Sequence, residues 1–148
     1  MKRLLTFAAM GCALSGSVLS AAPADASSVV QLGKIQYNAP GTDTNANSSV
    51  NGEYVVVKNL SSHAMTLTGW TLRDAQSHVY RFGTYSLPAY RSVTVHTGKG
   101  TNGALVRYWG LGWHVWNNGG DTATLRNAAG VGMDSCRWAT AGSGYVNC

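Results

Sequence analysis

The chain has 148 residues, 45% of them hydrophobic and 11% charged, with a formal net charge of +5. That length leaves no room for a second sizeable domain once a leader is set aside. The basic residues, from Lys34 to Arg137, stand singly rather than on one stripe or arm, which argues against a specific nucleic-acid binder.

Met1-Lys2-Arg3 is a basic start, Leu4 to Ala22 is uncharged, and Ala24-Asp25-Ala26 puts small residues at the −3 and −1 positions before Ser27. Residues 1–26 are therefore expected to be a secretory signal peptide, with Ala22-Pro23-Ala24 as a second cleavage point. Residues 27–148 are then one domain with nine basic and five acidic residues, net +4, and no membrane span after cleavage. Cleavage also removes Cys12, so Cys136 and Cys148 remain as an even pair in an oxidising compartment. They are expected to form a disulfide that pins the C-terminus, since two thiols alone do not make a structural zinc site.

Val29 to Tyr37 reads as the first strand, with Val29, Ile35 and Tyr37 on one face and Val30 and Leu32 on the other. Asn38 to Asn51 reads as a long polar loop. The turn signal Asn51-Gly52 then opens a strong β run, Glu53 to Asn59. Ser61-Ser62-His63 reverses the chain into Met65–Leu67 and Trp70–Arg73, and the two runs together read as a β-hairpin at the heart of a sheet. Gly69 marks a bulge or bend. His78–Phe82 is a short strand and Leu87–Tyr90 a connector. Ser92–His96 alternates cleanly, with Val93 and Val95 on the buried face. Leu105–Trp109 and Trp113–Trp116 are short β segments, Asn117 to Gly120 a dense turn, Asp121–Arg126 a strand, and Val131–Trp138 the last strand. No helix is expected in this part of the chain. Short strands broken by Gly and Asn turns indicate an all-β sandwich.

The stretches "NGEYVVVKNLSSHAMTLTGWTLRD", "HVYRF", "SVTVHTGKG", "YWG", "VWNNGGDTATLRNAAG" and "VGMDSC" resemble a lamin-tail domain in its bacterial secreted form, over Val29 to Cys136. The resemblance implies an immunoglobulin-like β-sandwich. It also implies that Trp109 and Trp116 are framework residues, and that His78 and His96 occupy positions where similar sequences often carry His. Lamin-like scaffolding does not follow, because that role also involves a coiled-coil rod and this chain has no heptads.

Four histidines, His63, His78, His96 and His114, lack the close pairing of a metal site, so hydrogen-bonded, buried structural roles are expected. Asp43-Thr44-Asn45-Ala46-Asn47 with Glu53 faintly resembles a calcium loop. It lacks the required Gly, and a solvated loop is the simpler reading. No Gly-x-Ser-x-Gly elbow is present, and Asp74 and Asp121 sit where a carboxylate caps a turn. The expectation is no enzyme, no cofactor and no metal.

The most suggestive stretch runs from Arg107 to Asn118 and holds three of the five tryptophans. Arg107, Trp113, His114 and Asn117 are the candidate ligand-binding residues, with Trp113-His114 the better surface pair. The leading reading is a secreted, non-catalytic, monomeric module. It would contact an unidentified protein or a cell-wall polymer, in an extracellular or cell-wall-associated location. A carbohydrate- or cell-wall-binding module using the Trp-rich loop is the second reading. A small secreted hydrolase or nuclease is the third.

Overall fold

The computed structural model describes residues 28–139 and 142–148. The expected signal peptide, 1–26, and Cys12 lie outside the described residues. Two sheets face each other. The five-stranded sheet has the order β11 (Tyr145–Asn147), β1 (Val30–Gln36), β2 (Tyr54–Asn59), β7 (Ser92–His96), β8 (Val106–Tyr108). The four-stranded sheet has the order β10 (Gly132–Trp138), β9 (Asp121–Arg126), β4 (Thr71–Arg73), β5 (Val79–Arg81). A small ribbon pairs β3 (Met65–Thr66) with β6 (Ser86–Leu87). Every pairing is antiparallel except β7 with β8. This is the expected all-β, immunoglobulin-like β-sandwich.

Alternation builds the core. Val55 and Val57 of β2 and Val93 and Val95 of β7 point inward, facing Leu72 of β4 and Ala123 and Leu125 of β9. Their burial removes apolar surface from water, the dominant favourable contribution to folding. Between the sheets runs a continuous chain of ring contacts: Tyr37–Trp138, Trp138–Trp116, Trp116–Trp109, Trp109–Tyr80, Tyr80–Phe82 and Phe82–Tyr85, with centroids 4.9–6.1 Å apart. These are stacked, edge-on or tilted geometries, none a perfect face-to-face sandwich, as aromatic quadrupoles favour. Trp116 is buried and Trp109 packs against the core, so both are framework residues as the resemblance implies.

Several expectations need correction. The two runs around residues 51–60 and 67–74 are not a hairpin. β2 pairs with β1 and β7, whereas β4 pairs with β5 and β9 in the opposite sheet, so the 60–70 segment crosses between layers. Nor does β1 keep its two-faced pattern. Leu32 pairs with Val57 but Ile35 with Val55, which places an extra residue at Gly33-Lys34. That bulge flips the alternation, so Val30, Leu32, Ile35 and Tyr37 all reach the core while Val29 is exposed. Trp113–Trp116 is not a strand, and β10 is not the last one, because β11 follows it.

The polar 38–51 loop contains one helical turn, α1 (Asn47–Val50). It is held by the Val50 amide to the Ala46 carbonyl, by that of Asn51 to Asn47, and by burial of Val50. A Cβ on Gly52 would lie 2.6 Å from the Ala39 Cβ, so the turn after α1 closes only on glycine.

One flank of the sandwich is tied twice. Asp134 on β10 accepts the Leu32 amide of the bulge at 2.7 Å, reaching across to the other sheet. Cys136 on β10 is bonded to Cys148 just after β11, with Cα atoms 5.8 Å apart. The expected disulfide therefore pins the C-terminus and also staples the two sheets together. Among the described residues no helix is long and apolar enough to cross a membrane.

Candidate functional site

Three loops meet at one end of the sandwich: 43–51 with α1, 97–104 after β7, and 113–118 before β9. Asn47 grips the backbone of Lys99 twice, accepting its amide at 2.8 Å and donating to its carbonyl at 2.9 Å. Asn51 donates to that carbonyl as well, at 2.9 Å. Asn118 donates to the Asp43 carboxylate at 2.9 Å. These bonds join residues far apart in the chain, so the loop cluster is fixed by long-range polar contacts.

Glu53 is the centre of the cluster. Its carboxylate is buried, 1% exposed, and accepts the Val115 amide at 2.9 Å and the Trp116 amide. Burial pushes its carboxyl above the ordinary 4.5; the two amides and the neighbouring His114 partly offset this. His114 Nδ1 lies 3.1 Å from Glu53 Oε1, but away from the direction an aligned ring N–H needs, so this contact is electrostatic. On the other side of the ring, Nε2 is 3.1 Å from the Thr44 carbonyl and 3.3 Å from Ser49 Oγ.

Ser49, His114 and Glu53 thus stand in the order of a catalytic triad, which sequence reading did not find. A carbonyl oxygen only accepts, so the bond to Thr44 requires a proton on Nε2. In that arrangement Nε2 cannot take the proton of Ser49, which general-base activation requires. Ser49 Oγ itself accepts the Thr44 amide at 3.1 Å. The constellation clamps the 43–51 loop to the 113–118 loop.

The four candidate ligand residues are dispersed in role. Trp113 is 53% exposed at the tip of this end. His114 faces inward to the clamp just described. Arg107, on β8, sits 4.0 Å over the Tyr85 ring and donates to the Gly103 carbonyl at 2.6 Å. Burial raises the Tyr85 hydroxyl above its ordinary value, and Arg107 opposes that. Asn117 is exposed, and its amide donates to Asp121 at 3.1 Å. Among the described residues no hydrogen bond joins any two of these four side chains.

The histidines are hydrogen-bonded, but the expectation of burial is corrected. His96 and His114 are half-buried, and His63 and His78 are exposed. His63 lies on the surface corner after β2, beside Ser62. His78 Nδ1 lies 2.5 Å from the buried Asp74 carboxylate, whose other oxygen accepts the His78 amide at 2.7 Å. The faint calcium-loop reading fails on geometry, because Glu53 turns into the sandwich and Asp43 bonds Asn118.

The remaining buried polar side chains are framework. Asp121 accepts the Ala75, Thr122 and Asn117 amides at 2.9, 2.7 and 3.1 Å. It therefore caps a turn, as expected, and forms one wall of an open cleft of about 420 Å³ with Ala75 and Arg137. Asn59 donates to the carbonyls of His63, Leu87 and Pro88 and accepts from Ser61, tying β2 to the crossing between layers. Sequence reading missed Asn59, whose only local cue is an Asn at a strand end before Ser-Ser.

Fold and site together define an immunoglobulin-like module whose buried polar groups serve its framework. The profile of the Lamin Tail Domain family matches residues 23–140, and the chain belongs to that family. The family is one of generally non-catalytic interaction modules. Comparison with curated proteins gives no match.

Proposed function

We propose that this protein is a secreted lamin-tail domain of the bacterial type. In this reading residues 1–26 are removed and residues 27–148 act as a single, non-catalytic module for attachment or protein interaction at the cell surface or wall. The observation that carries the reading is Trp113. A large aromatic side chain, 53% exposed, sits on a loop held in place by the buried Glu53 and by His114. Preorganised aromatic anchors of this kind lose little entropy on binding, which is why they dominate contact surfaces. The disulfide supports an oxidising location.

The test is cosedimentation of the purified, oxidised protein with insoluble cell wall across a salt series, beside Trp113→Ala. Binding that survives high salt in the wild type and is lost in the variant is the expected result. Binding abolished by salt alone would reduce the interaction to the net positive charge. Binding unchanged in the variant would remove Trp113 from the site.

A further inference from the structure

The outer face of the five-stranded sheet carries a row of side chains that the core does not use. Alternation turns Tyr54 and Lys58 of β2 and His96 of β7 away from the core. Register lines Tyr54 up with His96 and His96 with Tyr108, while Lys58 lies further along β2, opposite Ser92, with its stem over Gly33. The Tyr54 and His96 rings meet edge-on with centroids 5.6 Å apart, and His96 stacks on Tyr108 at 5.4 Å. At the other end Lys34 Nζ lies 4.4 Å from the Tyr145 ring and 5.8 Å from that of Tyr54. The row therefore crosses all five strands, from Tyr145 on β11 to Tyr108 on β8.

Its charge is one-sided. This face presents Lys34 and Lys58, and the five strands of the sheet hold no Asp or Glu. The carboxylates of Asp43, Glu53, Asp74, Asp121 and Asp134 lie elsewhere, each accepting a hydrogen bond from a protein group. Cross-strand pairing accounts for Tyr54, His96 and Tyr108 as neighbours. It does not account for the continuation through Lys34 to an exposed tyrosine on an edge strand, nor for the lack of acidic residues. The row is also buttressed. The Tyr108 ring occupies the space a Cβ on Gly100 would need, 2.4 Å away, and His96 Nδ1 bonds the Asn51 carbonyl at 2.8 Å.

We propose that this face binds an acidic polysaccharide, a chain of carboxylate-bearing sugars laid across the strands. Neighbouring strands are about 4.8 Å apart, close to the advance per ring of an extended β-linked sugar chain, so successive rings meet successive strands. The exposed Tyr145 ring takes the apolar C–H face of a sugar, and the Tyr54 and Tyr108 hydroxyls bond sugar hydroxyls. Lys34 and Lys58 meet the carboxylates, with their aliphatic stems lying along the sheet. His96 Nε2, which has no partner among the described residues, accepts a sugar hydroxyl. This site is on a different face from Trp113 and does not depend on the attachment reading.

The experiment is affinity electrophoresis of the purified, oxidised protein in gels containing polymannuronate, a β-linked uronic acid chain, or uncharged β-mannan. A single-stranded oligonucleotide serves as a competitor. The expected result is retardation by polymannuronate alone, weakened at least tenfold by Lys34→Gln with Tyr145→Ala and at least threefold by Lys58→Gln. Arg137→Gln, which removes an exposed charge on the opposite sheet, and Trp113→Ala should stay within twofold of wild type. Retention of the wild-type melting temperature checks that each variant is folded. Equal loss in Arg137→Gln would reduce the effect to net charge, and equal retardation by β-mannan would remove the acidic selectivity. Tighter binding of the oligonucleotide would reassign the face to unpaired bases. Each of these outcomes, like an absence of retardation, overturns the proposal.

Discussion

Glu53 shows how much one buried side chain decides here. It closes the strand end at β2, receives two amides from the 115–116 segment and faces His114. Its carboxyl is held above 4.5 by burial, so the folded chain binds its proton more tightly than the unfolded chain does. Its contribution to stability is thus full below pH 4.5 and is lost as pH rises through the folded value. Melting temperatures of wild type and Glu53→Gln, followed from acid to neutral pH, should show the wild type losing ground to the variant across that window. A constant difference would contradict it. Asn59→Ala should cost about 2 kcal/mol in urea unfolding, because it removes the side chain that donates to the carbonyls of His63, Leu87 and Pro88. Neither role was legible in the sequence. A lone Glu after Asn-Gly gives no sign of an amide donor 62 residues further on, and it reads simply as the first residue of a β run.

The strands themselves were easier to read than their partners. Ser92–His96 and Asp121–Arg126 fall where alternation puts them, since period-two burial is written into consecutive residues. The bulge in β1 and the crossing between β2 and β4 were not legible, because both depend on which strand lies alongside. α1 escaped notice for the same reason, as its polar turn is secured by Lys99, 52 residues from Asn47. At this scale the disulfide is the strongest single tie, spanning both sheets over a sequence separation of 12. Replacing Cys136 and Cys148 together by Ser should cost roughly 3 kcal/mol on the chain-entropy model. It should also speed amide hydrogen exchange in β11 and in the facing β1 before the rest of the sheet opens. Uniform loss of protection would place the disulfide's effect on global rather than local stability.

The whole molecule divides its polar chemistry in two. Inside, Glu53, Asn59, Asp74 and Asp121 serve turns and crossings and complete a fold whose family was legible from six short stretches of sequence. Outside, the rigid loop end presents Trp113, which is tied to no other group by a ring contact or side-chain hydrogen bond among the described residues. That exposed tryptophan was legible as the odd member of its cluster, because "YWG" and "VWNN" supply the framework pair. Trp113→Ala should accordingly leave stability within about 0.5 kcal/mol of wild type. The most direct test of this division is to measure the melting temperature and cell-wall binding of Trp113→Ala and Asn59→Ala side by side. The account predicts that Trp113→Ala melts as the wild type does and loses binding, whereas Asn59→Ala melts earlier and, where still folded, binds normally. Wild-type binding by Trp113→Ala, or binding lost by folded Asn59→Ala, would contradict it.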